Sequence, residues 1–114
     1  MQKMSLDAVA REQLDAARRS TASRSASTVF GGHERALRQT VIALLAGAAM
    51  SDHENPGEAT VYVLSGRIEL TAGADTWHGR QGDLIAVPDS THGLRALTDS
   101  VVLLTAVPRR HVLT

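Results

Sequence analysis

The chain has 114 residues, a length that suits one domain with a single hydrophobic core. Its 12 Lys and Arg residues balance 12 Asp and Glu residues, so neither nucleic acid nor an anionic membrane surface is expected as a partner. There is no cysteine, which excludes disulfides, thiolate catalysis and cysteine-based zinc sites.

No segment of the sequence predicts a membrane span or a secretory signal. The longest apolar run, residues 41–50, is too short to cross a bilayer and is interrupted by Gly47. The first residues lack the apolar core of a signal peptide. We therefore expect a cytoplasmic protein that does not associate with membranes.

The N-terminal part of the chain predicts one helix and a linker. Apolar residues recur at spacings of three and four across residues 5–19, and Ser5 is suited to be the N-cap. Residues 20–27 are small and polar, which is typical of a linker. We therefore divide the chain into a helix and linker over residues 1–27 and a second unit over residues 28–114. The apolar stripe of the helix needs a surface to pack on, either its own domain or a partner.

From residue 28 onward the sequence predicts about eight short strands separated by turn residues. No helical pattern lies between them, so an antiparallel sandwich or barrel is expected rather than a parallel sheet. The predicted strands cover residues 28–30, 37–46, 60–64, 67–71, 76–78, 84–87, 92–97 and 101–107, with turns at residues 52–57, 72–75, 82–83 and 88–90.

The first half of this region resembles the first sequence motif of small cupins. Gly47, His53 and Gly66 have the spacing of that motif. Asn55 stands where the motif has its second histidine, and Ala59 stands where it has its glutamate. The chain therefore keeps the two glycines and the first histidine of the motif.

The second cupin motif is resembled by residues 82–88, with the sequence GDLIAVP, and by His92. Ser90 replaces a glycine of the motif, and one residue fewer precedes the histidine. The resemblance extends over residues 37–107. It implies an all-β fold, a cupin-type β-barrel (double-stranded β-helix or jelly roll), here with a short N-terminal helix.

The resemblance also implies a site inside the barrel at His53 and His92. Cupins hold a divalent transition metal there with histidines and a glutamate, and such ligands suit iron, manganese, nickel, copper or zinc. Asn55 could contribute its amide oxygen as a further metal ligand. Glu58 precedes the expected carboxylate position by one residue, so it reaches the site only if the turn before it is rearranged, because neighbouring strand residues face opposite sides.

Two imidazoles alone hold these metals poorly, so a metal-free site is an open alternative. In that case His53 and His92 form the polar part of an apolar pocket that binds a small organic molecule. We favour the metal slightly, since the two retained histidines are ligands in cupins. The functions expected are a metal-dependent enzyme, a binding or sensing module, or a structural homodimer without catalysis.

A homodimer is expected because cupins commonly pair through sheet edges, which also covers exposed edge strands. The N-terminal helix and residues 28–30 are the elements expected at that contact. The remaining histidines, His33, His78 and His111, are expected on the surface or in the tail. Tyr62 is expected on the opposite face of its strand from Ala59.

Overall fold

The computed structural model describes residues 2–53, 57–88 and 92–108. This described part contains one helix and nine strands. The elements are α1 (Leu6–Arg19), β1 (Arg24–Phe30), β2 (Arg38–Leu44), β3 (Ala49–His53), β4 (Gly57–Ser65), β5 (Arg67–Ala72), β6 (Asp75–Arg80), β7 (Leu84–Ala86), β8 (His92–Ala96) and β9 (Ser100–Pro108).

The strands form two antiparallel sheets that face each other. The five-stranded sheet has the order β1-β2-β9-β4-β7, and the four-stranded sheet has the order β3-β8-β5-β6. A tight turn at Gly73 and Ala74 joins β5 to β6 as a hairpin, as the turn residues predict. The prediction of an all-β barrel preceded by a short helix is confirmed.

The main hydrophobic core lies between the two sheets, because alternate residues of each strand point inward. On β4, Val61 and Val63 are buried while Tyr62 between them is 38% exposed. The predicted alternation of this strand is therefore confirmed. The buried members of this core are Ile42, Leu44, Val61, Val63, Ile68, Leu70, Val87, Leu94, Ala96 and Val102.

A second apolar cluster lies between the helix and the outer face of the five-stranded sheet. Ala17 of α1 is fully buried there against Val41 and Val101. The Ser5 side chain accepts a hydrogen bond from the backbone N–H of Ala8, which confirms the predicted N-cap. The helix thus packs on the barrel of its own chain.

The predicted elements differ from the structure most instructively at β1, β2 and β3. Strand β1 begins at Arg24, so half of the predicted linker is strand; small polar residues suit an edge strand whose backbone pairs on one side only. Strand β2 ends at Leu44, because the chain turns at Gly47, which has a φ of 86°. Strand β3, which continues to His53, occupies part of the predicted turn at residues 52–57.

Within the part of the chain that the structure describes, no helix is long and apolar enough to cross a membrane.

Candidate functional site

The two histidines of the predicted site lie on neighbouring strands. Strands β3 and β8 pair antiparallel in the four-stranded sheet, and His53 is the register partner of His92. The register shifts between Met50 and His53, so an irregularity in β3 precedes the pair. The backbone therefore brings the two positions together, although they are far apart in sequence.

His92 lies on the inner side of β8 and is only 7% exposed. It has the same strand parity as Leu94 and Ala96, which are both buried in the core between the sheets. A cavity of about 30 Å³ adjoins its side chain. Among the described residues, His92 is the polar member of an otherwise apolar lining made of Ile42, Met50, Val61, Leu70, Leu94, Val102 and Leu104.

The carboxylate position of the cupin motif is apolar in this protein. Ala59 packs against the core between the sheets. Its carbonyl accepts a hydrogen bond, 2.9 Å long, from the backbone N–H of Val87, which directly follows β7. Glu58 is exposed, on the opposite face of β4. Because β4 is regular at this point, Glu58 does not reach the cavity.

The described residues do not form a complete metal-binding set. Among the residues whose side chains the structure describes, which leaves out residues 51–53, no group of three His, Cys, Asp or Glu is arranged to hold a metal ion. Asn55, the other predicted ligand, lies outside the described residues. A transition metal needs several nitrogen, sulfur or oxygen ligands, and the residues described around His92 do not by themselves supply them.

Alternation along β4 assigns Val61 to the face of the predicted site, but sequence reasoning did not identify the other apolar residues that line the cavity. Met50 was missed because no strand is predicted over residues 49–53. Ile42 and Leu104 lie in continuous apolar runs of β2 and β9, so no alternation of apolar and polar residues marks which side chains face the cavity. The cavity itself depends on how the two sheets pack together.

Two of the remaining histidines lie on the surface, as predicted. His78 is part of β6 rather than a turn, and its Nε2 lies 3.2 Å from a carboxylate oxygen of Glu69 on β5. His33 is exposed in the connection between β1 and β2. His111 lies outside the described residues.

Comparison with known proteins agrees with this architecture. The family described as "Cupin domain" matches residues 40–108, which is more than half of the chain. No curated protein matches the chain.

Three solved structures are similar to between 76% and 96% of this chain. The TT1209 protein of Thermus thermophilus has a TM-score of 0.75 at 24% identity, over 96% of this chain and 100% of that chain. The conserved SPY1581 protein of unknown function from Streptococcus pyogenes has a TM-score of 0.71 at 28% identity, over 81% of this chain and 80% of that chain. KdgF from Halomonas sp. has a TM-score of 0.64 at 26% identity, over 76% of this chain and 82% of that chain.

Proposed function

Since the chain belongs to the cupin family, we propose that its barrel binds a small organic molecule in the cavity beside His92. The observation that carries this proposal is the pairing of one buried histidine with an apolar lining. Small-molecule sites are typically apolar pockets with a few polar groups that orient the ligand.

The size of the cavity limits what reaches His92. A volume of about 30 Å³ is enough for a water molecule, which needs a cavity of roughly 10–15 Å³. Complete ligand pockets occupy roughly 300–1,000 Å³. The part of the ligand that lies against His92 is therefore small, of the size of a methyl, hydroxyl or carbonyl group.

The chemistry of imidazole defines the polar part of the ligand. A neutral imidazole donates a hydrogen bond from one ring nitrogen and accepts one at the other, so a hydroxyl, amide or carbonyl group of a ligand would be recognised. We include His53 in the proposed site because its backbone is the register partner of His92 across β3 and β8. Asn55 remains a predicted participant.

A metal held by His53 and His92 is the second candidate function. The register of β3 and β8 favours it, and it is the use that cupins make of these positions. Ala59 and the exposed Glu58 argue against it, since they leave the described part of the site without the family's carboxylate. The metal could be iron, manganese, nickel, copper or zinc, and the reaction class does not follow from the fold.

The experiment that tests the proposal is native mass spectrometry of the freshly purified, untagged protein, combined with elemental analysis of the same sample. We expect a small organic adduct and a transition metal content far below one ion per chain. His92→Leu should lose the adduct, because the polar contact is gone. His33→Leu, at an exposed histidine, is the matched control and should retain it.

Two outcomes of this experiment count against ligand binding at His92. An adduct that survives in His92→Leu would mean that the molecule binds elsewhere. One metal ion per chain in the untagged protein, lost in both His53→Ala and His92→Ala, would favour the metal instead.

A further inference from the structure

The outer face of the four-stranded sheet carries a cluster of arginines. Residues that alternate with the inward-facing Ile68 and Leu70 of β5 point away from the barrel. Their cross-strand partners on β6 and β8 lie on the same face. This face, called here the arginine face, contains Arg67, Glu69, His78, Arg80 and Arg95.

Arg67 and Arg80 are direct register partners across the β5–β6 hairpin. Like charges directly opposite each other in an antiparallel pair destabilise the sheet. The neighbouring pairs on this face follow the ordinary rule, because Glu69 lies opposite His78 on one side and opposite Arg95 on the other. The chain therefore places two positive charges where an oppositely charged pair would be more stable.

Three acidic residues of this region make contacts that do not involve the guanidinium groups of the pair. Glu69 contacts His78 through its carboxylate, and Asp83 accepts a hydrogen bond from the backbone N–H of Arg80 at 3.0 Å. Asp99 accepts a hydrogen bond from the backbone N–H of Ala46 with one oxygen, and its other oxygen lies 3.8 Å from Arg18. Within the described ranges, no carboxylate forms a salt bridge with the guanidinium group of Arg67 or Arg80.

An open groove of about 390 Å³ adjoins the two arginines. Its lining is formed by Arg67, Ile68, His78, Gly79, Arg80 and Leu97. Leu97 is 41% exposed and gives the groove one apolar wall. The groove therefore offers two guanidinium groups and a surface for a small apolar body.

We propose that this groove is a binding site for a small anionic molecule, whose phosphate or carboxylate group lies between Arg67 and Arg80. Guanidinium groups bind both kinds of oxyanion through paired, charge-assisted hydrogen bonds. An anion between them also replaces their mutual repulsion with two attractions. The groove and the cavity beside His92 share no lining residue, so the two sites are distinct.

The test is an NMR titration of the complete, isotope-labelled protein with inorganic phosphate and, separately, with acetate. Sodium chloride keeps the ionic strength constant, because exposed charges also respond to screening. We expect saturable shifts of the backbone amide signals of Ile68, Gly79, Arg80 and Leu97. The anion that binds more tightly identifies phosphate or carboxylate as the recognised group.

Substitutions assign the binding to the two arginines. Arg67→Gln and Arg80→Gln should each weaken binding about fivefold, as expected for one exposed charge contact. Arg11→Gln removes one positive charge from the exposed side of α1 and should leave the affinity unchanged. Unsaturable shifts with both anions, or unchanged affinity in the two groove variants, would overturn the proposal.

Arg80→Glu separates loss of binding from loss of folding. It replaces the like-charged pair with an Arg67–glutamate pair of opposite charge, so the melting temperature should rise by about 2 °C while phosphate and acetate binding is lost. A lower melting temperature would contradict the repulsion on which the proposal rests. Binding that persists in this variant would show that the anion lies elsewhere.

Discussion

The cavity beside His92 predicts opposite effects for the same substitution at two neighbouring positions. Val61 and Val63 both face inward from β4 and are both buried, but only Val61 lines the cavity within the described structure. Exchanging valine for isoleucine adds one methylene group at either position. In Val61→Ile the new group has empty space to enter, whereas in Val63→Ile it does not.

The magnitudes follow from the packing around each residue. Cavities cost about 24 cal/mol per Å³, so filling a void of 30 Å³ stabilises the fold by at most about 0.7 kcal/mol. Around Val63 the space is already filled, since even a methyl group added at Gly79 would approach the Val63 side chain to 3.1 Å. Overpacking a core in this way costs about 1–3 kcal/mol.

Denaturation with urea measures both effects against the unmodified protein, with all proteins freed of the organic adduct beforehand, because a bound ligand would itself stabilise the fold. We expect Val61→Ile to raise the free energy of unfolding and Val63→Ile to lower it, with unchanged denaturant dependence in both. The Val61→Ile protein should also lose the organic adduct, because the added group occupies the space beside His92. Equal destabilisation by the two substitutions would refute the cavity and the reasoning from it.

Three further predictions concern the inner face of β4, the edge strand β1 and a buried hydroxyl. Ala59→Glu should lower the free energy of unfolding by about 1–3 kcal/mol in the absence of metal, because it places a carboxylate against an apolar core. Addition of Zn²⁺ should restore part of the lost stability. Glu58→Gln, on the exposed face of the same strand, should change the free energy of unfolding by less than about 0.5 kcal/mol. Thermal denaturation of the two variants with and without Zn²⁺ checks these predictions. Equal destabilisation by the two substitutions would contradict the assignment of Ala59 and Glu58 to opposite faces of β4. If the predicted homodimer pairs through β1, light scattering should show a monomer for Ala26→Lys. Leu84→Lys should remain a dimer, because Leu84 lies on β7, the opposite edge strand of the same sheet. A dimer in both variants would exclude β1 as the dimer contact. Ser100→Ala should lower the free energy of unfolding by about 1 kcal/mol, because the buried hydroxyl donates its one proton to the carbonyl of Arg67 or Thr98 and accepts from the backbone N–H of Arg67. An unchanged free energy of unfolding in chemical denaturation would show that these hydrogen bonds do not stabilise the fold.

The strands that the sequence predicts well are those with a strong local signal. Strands β4, β5 and β9 contain β-branched or alternating residues, so periodicity and turn residues define them within a few positions. Strand β3 has no such pattern, and it forms because its backbone pairs with β8. Pairing between distant segments is a tertiary effect that overrides local preference.

The candidate site likewise has parts that local sequence patterns predict and parts that depend on tertiary packing. The spacing of the cupin motif is enough to select His53 and His92, and alternation along β4 is enough to separate Ala59 from Glu58. The cavity depends on side chains from both sheets, so no local pattern predicts its volume. The like-charged pair of Arg67 and Arg80 was within reach of sequence reasoning, because the turn at residues 72–75 already defines the register of that hairpin.

The most direct test of the proposed function is the electron density beside His92 in crystals of the untagged protein grown without added metal. Data collected at energies above and below the absorption edges of manganese, iron, nickel, copper and zinc distinguish a metal from light atoms. We predict an elongated density without anomalous signal that contacts the imidazole of His92 and enters the apolar cavity. A single compact peak with anomalous signal, bound by His53 and His92, would contradict the account and establish the metal site in its place.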